Sequence, residues 1–453
     1  MAGKSNLLRT GLITLLVMSV VHVYGLAYPF TYEPYVLTLV WGLYMVYMYI
    51  KYPVFGVLAI KGAFFSVTCA LAVMFLNVDR VYLVELDSYN SVVDSGSAYL
   101  FLLSQLVFYS ALFYMLALVC DENKFYFKGF GEGRTVHFLI LAVLMLLELY
   151  VFYEVYLHYG PAVANGVDRF HYRAQILPRY ISQLHNLALY LQPFLYMLLV
   201  KRAFPSAVLI YFLVVLFLVN TVGTGEKFGM MFTCLNFFLI VYVLAKRLRG
   251  DQVRSKAYPI LAIGFGVLLV AAAIINFMIF PELEKGTYYC VRLLQQGQLW
   301  NEAYNLYTQG LGYNSHYSSD SYSFHRIYSL MHEMVPSDWM SGIVENNRVY
   351  NGSTQATLLL EGGVLWMLFM HIVLAVYFSG ALTLLLAGVR MNSVIILIFG
   401  ARMVFNFALM YQLSLYDKLY TIETGFFAVV LVSLLVFSRS QARYRSEHLA
   451  GDI

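Results

Sequence analysis

Long apolar runs constrain the fold of this chain more than any other feature. A helix needs about 20 apolar residues to cross the roughly 30 Å hydrocarbon layer of a bilayer. Because backbone polar groups must be satisfied inside lipid, such runs predict helices rather than open strands. We therefore expect an all-α integral membrane protein with about 12 transmembrane helices and one membrane domain over residues 1–453. The predicted spans are 10–29, 34–50, 53–76, 97–120, 138–157, 186–200, 205–222, 228–245, 258–280, 355–389, 391–412 and 421–438.

The composition excludes several soluble classes. Apolar residues make up 61% of the chain and charged residues 12%, whereas soluble domains are about half apolar and a quarter charged. So few charges cannot keep this much apolar surface in water, which excludes an ordinary cytosolic enzyme, a nucleic-acid-binding protein and a disordered scaffold. The four cysteines are widely scattered and predict neither a disulfide framework nor a clustered metal site. Membrane lipids are therefore expected as partners, and nucleic acid is not.

Basic residues predict the orientation. Lys246, Arg247 and Arg249 lie between the predicted spans 228–245 and 258–280. Further arginines follow the last span, at positions 439, 443 and 445. Cytoplasmic loops are enriched in Lys and Arg. Both termini are therefore expected in the cytoplasm.

The run 355–389 is too long for one straight span. It contains the sequence Glu361-Gly362-Gly363 near its start. Glycine costs a helix about 1 kcal/mol relative to alanine, so two in succession favour a break. We expect the first part of the run to be a short segment that lies along the membrane or re-enters it.

Two outer segments, 158–185 and 281–354, are long beside the other predicted loops. Long loops within a compact bundle usually carry function. The chemistry is therefore expected on the extracytoplasmic face, and the short inner loops are expected to be structural. The larger segment, 281–354, is expected to be a partly helical periplasmic loop.

The segment 158–185 carries three arginines at the outer membrane boundary, against the positive-inside trend. They are Arg169, Arg173 and Arg179. The guanidinium fork matches phosphate oxygens bidentately, so a lipid-linked pyrophosphate at the interface is a natural ligand. The alternative is that these arginines contact lipid headgroups or pair with local acids such as Asp168.

A glycine-rich turn at residues 223–229 delivers Glu226 and Lys227 to the start of a predicted helix. Exposed amides and a helix N-terminus favour an anion, and Lys227 adds a positive charge. The spacing does not match a nucleotide-binding phosphate loop. An ordinary charged hairpin tip is the alternative, favoured for Glu226, whereas Lys227 is a candidate pyrophosphate ligand.

The loop 281–354 is rich in aromatic, amide and hydroxyl side chains, among them Trp300, Tyr304 and Tyr307. Flat rings with hydrogen-bonding neighbours suit the apolar face and hydroxyl rim of a sugar. Aromatic residues are also common at membrane interfaces, which is the structural alternative.

The same loop contains the candidate catalytic residues. His325 is a candidate general base near neutral pH. Arg326 and Arg348 are candidates for neutralising a departing phosphate. No spacing resembles a zinc signature, and the carboxylates are not clustered as a divalent cation requires. We expect metal-free chemistry without a cofactor.

Four ionisable residues lie at apparent membrane depth, where charge is expensive and usually faces a polar interior. Arg402 and Glu361 are expected to pair across the bundle or to line a cavity, and Arg402 is a candidate pyrophosphate ligand. Lys61 and Glu148 are expected to snorkel or to be structural.

The chain resembles the Wzy-type O-antigen or oligosaccharide repeat-unit polymerases. The likeness consists of the span count, the inner termini, the arginine-bearing outer loop and the second large outer loop. Locally, residues 353–364 read STQATLLLEGGV, which is similar to a helix-opening pattern of this family and of the related O-antigen ligases. Ligases and many polymerases open that stretch with His-Asn, whereas this chain has Asn351-Gly352-Ser353.

The resemblance implies a GT-C-like membrane glycosyltransferase in the bacterial inner membrane, with its active site facing the periplasm. Its substrates would be undecaprenyl-pyrophosphate-linked oligosaccharides, and a polysaccharide co-polymerase that regulates chain length is an expected partner. It would transfer a growing chain from one carrier onto a new carrier-linked unit. The implied pyrophosphate contacts are Arg169, Arg173, Arg179, Lys227 and Arg402, and the implied catalytic residues are His325, Arg326 and Arg348.

Other functions remain open at this point. An O-antigen ligase shares the topology and the arginines but uses a lipid A core as acceptor. A lipid-linked oligosaccharide flippase has a similar span count, but its polar residues should lie inside the bundle. A purely structural or assembly protein is a further alternative.

Overall fold

The computed structural model describes most of the chain. Every regular element in the described ranges is helical. Those ranges are 2–28, 32–79, 95–119, 133–167, 171–201, 207–226, 229–248, 285–311, 325–332, 335, 337–345, 353–434 and 436.

The helices follow the apolar runs. In the first half of the chain they are α1 (Ala2–Ala27), α2 (Glu33–Lys51), α3 (Pro53–Asp79), α4 (Ser95–Val119), α5 (Arg134–Phe152), α6 (Arg179–Lys201), α7 (Ala207–Gly223) and α8 (Gly229–Leu248). In the second half they are α9 (Lys285–Thr308), α10 (His325–His332), α11 (Ser337–Glu345), α12 (Ser353–Met391), α13 (Val394–Leu413) and α14 (Ile422–Leu434).

The predicted spans agree with these helices. Each coincides with a helix except 258–280, which lies outside the described residues. Within the described ranges, seven helices are long and apolar enough to cross a membrane, and α7 and α14 are shorter apolar helices. This confirms the all-α membrane class, while the count of about 12 crossings stays a prediction.

Helix α12 is broken where the sequence predicts. Gly363 has φ 73° and ψ −169°, a non-helical conformation inside an otherwise helical stretch. Glycine reaches such positive φ values without the steric cost that a Cβ would impose. A short arm, residues 353–362, therefore precedes the long helix that completes α12.

Helix α12 lies at the centre of the bundle. It packs against α4, α9 and α13, while α6 packs against α8 and α13. The rings of Phe108 and Phe378 stack on Phe407 at 5.9 Å and 4.2 Å between centroids. The outside of the bundle is also apolar, with Leu365 and Ile422 83% and 92% exposed. An apolar exterior around a packed apolar core is what a bundle surrounded by lipid requires.

The segment 281–354 is partly helical, as predicted, since α9, α10 and α11 lie within it. Helix α9 packs against α3, α4 and α12 instead of standing apart from the bundle. At Gly297 the backbones approach so closely that a Cβ would lie 2.7 Å from the backbone nitrogen of Val73 and 2.9 Å from the carbonyl carbon of Ala72.

The burial of two of the loop aromatics contradicts the predicted role as sugar platforms for those two rings. Trp300 is fully buried and Tyr304 is 8% exposed. The indole N–H of Trp300 donates to the carbonyl and the hydroxyl of Ser97, both at 3.0 Å. Of the three aromatics named above, Tyr307 alone keeps substantial exposure, at 38%. Amphipathic rings that satisfy their polar atom inside a core are structural.

Candidate functional site: the Arg173–Glu226 junction

Two short π-helices shape the arginine-bearing segment, one at its start and one before α6. Helix α5 continues as the π-helix Tyr153–His158, and a second π-helix, Tyr172–Ile176, precedes α6. Between them, Gly160 and Gly166 adopt φ values of 73° and 65°. Short π-helices are rare and are frequent at functional sites.

Local hydrogen bonds hold this segment in one conformation. The side-chain amide of Asn165 donates to the carbonyls of residues 159–161 at 3.0–3.2 Å. The hydroxyl of Tyr172 donates to the carbonyl of Gly160 at 2.6 Å. Burial raises the pKa of Tyr172 to about 12, so its hydroxyl keeps the proton that it donates. The backbone that carries Arg173 is therefore fixed by its neighbours.

Arg173 reaches the glycine-rich turn that follows α7. Its Nη1 donates to Glu226 Oε1 at 2.6 Å, and its Nη2 donates to Thr224 Oγ1 at 3.3 Å. The side chain of Arg173 is 29% exposed and that of Glu226 is 10% exposed. The two sequence motifs thus form one site, and Glu226, interpreted above as part of a hairpin tip, is the acid that pairs with Arg173.

The turn is built by the last residues of α7. The backbone N–H groups of Thr224 and Glu226 donate to carbonyls of α7, and Gly225 adopts a φ of 79°. The carbonyl of Gly223 accepts from the N–H of Ala162 at 2.9 Å, which ties the turn to the arginine-bearing segment. A Cβ at Gly223 would lie 2.6 Å from Val155 Cγ1, so the two segments meet because this position lacks a side chain.

Arg173 keeps hydrogen-bonding capacity beyond its protein contacts. A guanidinium carries five N–H donors. Its Nε is buried and has no partner among the described residues, and part of the side chain remains exposed. A guanidinium that is oriented by a carboxylate and retains unused donors is suited to bind phosphate oxygens.

Polar side chains continue from the junction into the bundle. His185 Nε2 lies 3.0 Å from Thr221 Oγ1. The side-chain amide of Asn220 donates to Glu148 Oε2 at 2.6 Å. Glu148 is fully buried and therefore does not snorkel. On a neighbouring helix, Lys61 Nζ donates to Thr233 Oγ1 at 2.7 Å. The sequence interpretation missed this network, whose signal was a histidine, an asparagine and a carboxylate on three neighbouring apolar helices.

Apart from Arg402, the structure describes the side chain of Arg179 alone among the other residues predicted for this site. Arg179 begins α6 and is exposed. Arg169 and Lys227 lie outside the described residues, as does Arg348. His325 and Arg326 begin α10, but their side chains lie outside the described part of the chain. Their predicted roles stay predictions.

Arg402 forms a second polar cluster, and its partner differs from the predicted one. Its Nε donates to Glu423 Oε1 at 3.0 Å, so Glu423 takes the place expected for Glu361. Its Nη1 donates to the hydroxyl of Tyr190 at 2.7 Å, and the guanidinium lies 5.2 Å from that ring's centroid. Asn406 donates to the second oxygen of Glu423 at 3.1 Å. An acid at the start of the last apolar run was the signal that the sequence interpretation overlooked.

The Arg402 cluster is distinct from the Arg173–Glu226 junction. The side chains of Arg402 and Glu423 are 37% and 36% exposed, and neither shares a partner with Arg173 in the described part of the chain. No group of three or more His, Cys, Asp or Glu side chains that would hold a metal ion occurs among the described residues.

Comparisons with known proteins reach only the second half of the chain. A family model described as a family of unknown function (DUF6418) matches residues 325–428. The matched stretch begins at α10 and contains the break at Gly363 and the pair of Arg402 with Glu423. No curated protein and no solved structure matches this chain.

Proposed function

We propose that this protein is a membrane glycosyltransferase that polymerises lipid-linked oligosaccharide repeat units into O-antigen or a related surface polysaccharide. It transfers the growing chain from one undecaprenyl pyrophosphate carrier onto a new carrier-linked unit at the periplasmic face of the bacterial inner membrane. One observation carries the proposal: Arg173 is oriented by Glu226 and retains unused donors at the end of an apolar bundle.

In the proposed reaction, an acceptor hydroxyl attacks C1 of the first sugar of the donor chain. The bond from C1 to the pyrophosphate oxygen breaks, the hydroxyl proton is lost, and the pyrophosphate leaves with the bonding electrons. Cationic donors lower the barrier by neutralising the charge that develops on the leaving group. Binding both carriers in line removes the entropic cost of their encounter.

The residues divide between these tasks. Arg173 and Arg179 are assigned to the pyrophosphate, together with Arg169 from the same segment and Lys227, which follows Glu226 in the sequence. His325 is assigned as the base that accepts the hydroxyl proton, and Arg326 and Arg348 are assigned to the developing negative charge. Arg402 is assigned to the pyrophosphate as a further contact. With both termini in the cytoplasm, the Arg173–Glu226 junction faces the periplasm, where both carrier-linked substrates are presented.

The decisive assay measures polymer length with purified protein and two lipid-linked repeat units. Arg173→Ala is expected to abolish long polymer and leave single units. Because this change leaves Glu226 almost buried without its partner, the double variant Arg173→Gln/Glu226→Gln tests the same site without an unpaired charge. Arg134→Ala, an exposed arginine at the far end of α5, is the matched control. Wild-type chain lengths from both site variants would reject the pyrophosphate role.

The surface glycan of a deletion strain separates polymerase from ligase and flippase. A polymerase defect leaves one repeat unit on lipid A. A bare core with accumulated carrier-linked polymer would indicate a ligase, and accumulation of single units on the cytoplasmic side would indicate a flippase.

Chelation tests the metal-free mechanism. EDTA is expected to leave polymerisation by the purified protein intact, because the assigned cationic groups are side chains. A loss of activity that a divalent ion restores would overturn this part of the proposal.

A further inference from the structure

A small pocket lies where α3, α4, α12 and α13 meet, apart from both arginine clusters, and its lining combines apolar surface with a few polar groups. Its lining includes Phe65, Ser66, Gln105, Gln355, Tyr411 and Gln412. The lining side chains are amides, hydroxyls, a thiol and aromatic rings, without a formal charge. The free space at its centre admits about one water-sized group.

A hydrogen-bond chain leaves one donor in the lining without a partner. The hydroxyl of Tyr411 donates to Gln105 Oε1 at 2.6 Å. Ser66 Oγ lies 3.1 Å from that hydroxyl and 2.9 Å from the hydroxyl of Tyr109. Gln105 is fully buried, and its Nε2 has no partner among the described residues. Burying an amide N–H without a hydrogen-bond partner costs free energy. A ligand oxygen that accepts a hydrogen bond from Gln105 Nε2 would remove that cost.

The pocket is capped by the short arm of α12. Gln355 lies on this arm. The hydroxyl of Thr354 donates to the carbonyl of Met410, and the hydroxyl of Thr357 donates to Ser414 Oγ at 2.8 Å. These bonds fix the arm to the end of α13. The pocket therefore lies at the end of the bundle from which the loop 281–354 enters α12.

The chemistry of the lining selects the ligand. A phosphate is bound most strongly by positively charged donors, and no lining side chain of this pocket carries a positive charge. Amide and hydroxyl groups beside the rings of Phe65 and Tyr411 are the partners of a neutral hydroxyl-bearing molecule. The space excludes a whole sugar ring but accommodates one hydroxyl or hydroxymethyl substituent.

We infer that this pocket binds a hydroxyl or hydroxymethyl group of a neutral sugar in the lipid-linked glycan, with Gln105 Nε2 as the donor. The inference rests on the proposed function and assigns to it a glycan contact that is separate from the pyrophosphate contacts. Gln105 and Ser66 then contribute to recognition of the repeat unit and not of the carrier.

The test measures binding to purified protein in nanodiscs with two probes, bare undecaprenyl pyrophosphate and the same carrier bearing one oligosaccharide unit. Wild type is expected to bind the glycosylated probe more tightly. Gln105→Leu is expected to weaken that binding about tenfold, the effect of one lost hydrogen bond, without changing binding of the bare carrier. Ser66→Ala, which removes less volume, should act in the same direction. Gln192→Leu, at a buried glutamine of α6, is the matched control.

The outcomes separate this inference from the proposed function. Unchanged affinity for the glycosylated probe in both Gln105→Leu and Ser66→Ala would overturn the inference and leave a water molecule as the occupant. If wild type binds neither lipid probe, the proposed function fails, and saturation-transfer NMR with free neutral oligosaccharides decides the pocket. A signal that Gln105→Leu abolishes supports the sugar site, and the lack of a signal from wild type rejects it.

Discussion

The segment 158–185 and the helices of the loop 281–354 place their side chains in opposite ways. The first keeps Arg173 partly exposed and Arg179 at the surface. The second buries Trp300 completely, and its helix α9 is inserted against α3, α4 and α12. The segment 158–185 therefore places charged side chains at the surface, whereas the helix α9 of the loop 281–354 adds to the core.

The difference follows from what each side chain requires. Burial of an aromatic ring is favourable once its N–H or hydroxyl has a partner, and Ser97 supplies that partner for Trp300. A guanidinium is costly to bury and needs a carboxylate, so Arg173 stays near the surface beside Glu226. In this chain, an arginine of such a segment therefore stays near the surface beside its carboxylate, whereas an aromatic ring with a hydrogen-bond partner becomes part of the core.

The most direct way to break this comparison is to remove the buried ring. Trp300→Ala is expected to destabilise the protein by about 3–5 kcal/mol, because it leaves a large cavity in the core. Tyr307→Ala, at a ring that is 38% exposed, is the control and should have a small effect. Thermal unfolding in detergent measures both. Equal stability of the two variants would return Trp300 to the predicted sugar-stacking role.

A smaller effect is expected at the contact between α9 and α3. Gly297→Ala places a Cβ against the backbone of Ala72 and Val73, where no rotamer change relieves the overlap, and should cost about 1–3 kcal/mol. Gly42→Ala is the matched control, since its Cβ would meet nothing within 4 Å. If both glycine variants unfold at the same temperature, the loop helix is not docked as described.

The junction itself should tolerate a neutral substitution. Glu226→Gln keeps an acceptor for Arg173 but removes the charge, and a loss of about 0.5–1.5 kcal/mol is expected. The proposed function predicts a larger effect on polymer length, because the guanidinium is less firmly oriented. Comparing the unfolding temperature with the chain-length distribution separates the two effects, and unchanged chain length would argue against an orienting role.

The smallest change in stability is expected at Arg179. This side chain is exposed at the start of α6, and exposed substitutions away from special features are usually near neutral. Arg179→Ala should therefore unfold like wild type while it shortens the polymer. A variant that is both stable and fully active would remove Arg179 from the pyrophosphate site.

Much of the fold was predictable from the chain itself. Apolar runs and single glycines act locally, because helix length and backbone freedom depend on a few neighbouring residues. The helices Pro53–Asp79 and Val394–Leu413 and the break at Gly363 were predicted for this reason. The helical content of the loop 281–354 was predicted, but its insertion into the bundle was not.

The site was predictable only in its residue types. Arg173 was identified as a cation placed against the usual trend, whereas its partner Glu226 lies on another helix connection and was interpreted as a hairpin tip. Arg402 was identified as well, but its acid is Glu423 and not Glu361. Which charges meet depends on how the helices pack, and no local pattern carries that information.

The sequence by itself determined the class of this protein, the positions of its helices and the side chains that need a polar environment, because transfer from water to lipid is a property of each residue and its neighbours. The tertiary structure alone decided that Glu226 orients Arg173, that Trp300 belongs to the core and that Gln105 lines a small pocket. Those outcomes depend on contacts between helices that are distant in the chain. At such contacts, side chains must pack closely and each buried charge must find a partner of opposite sign.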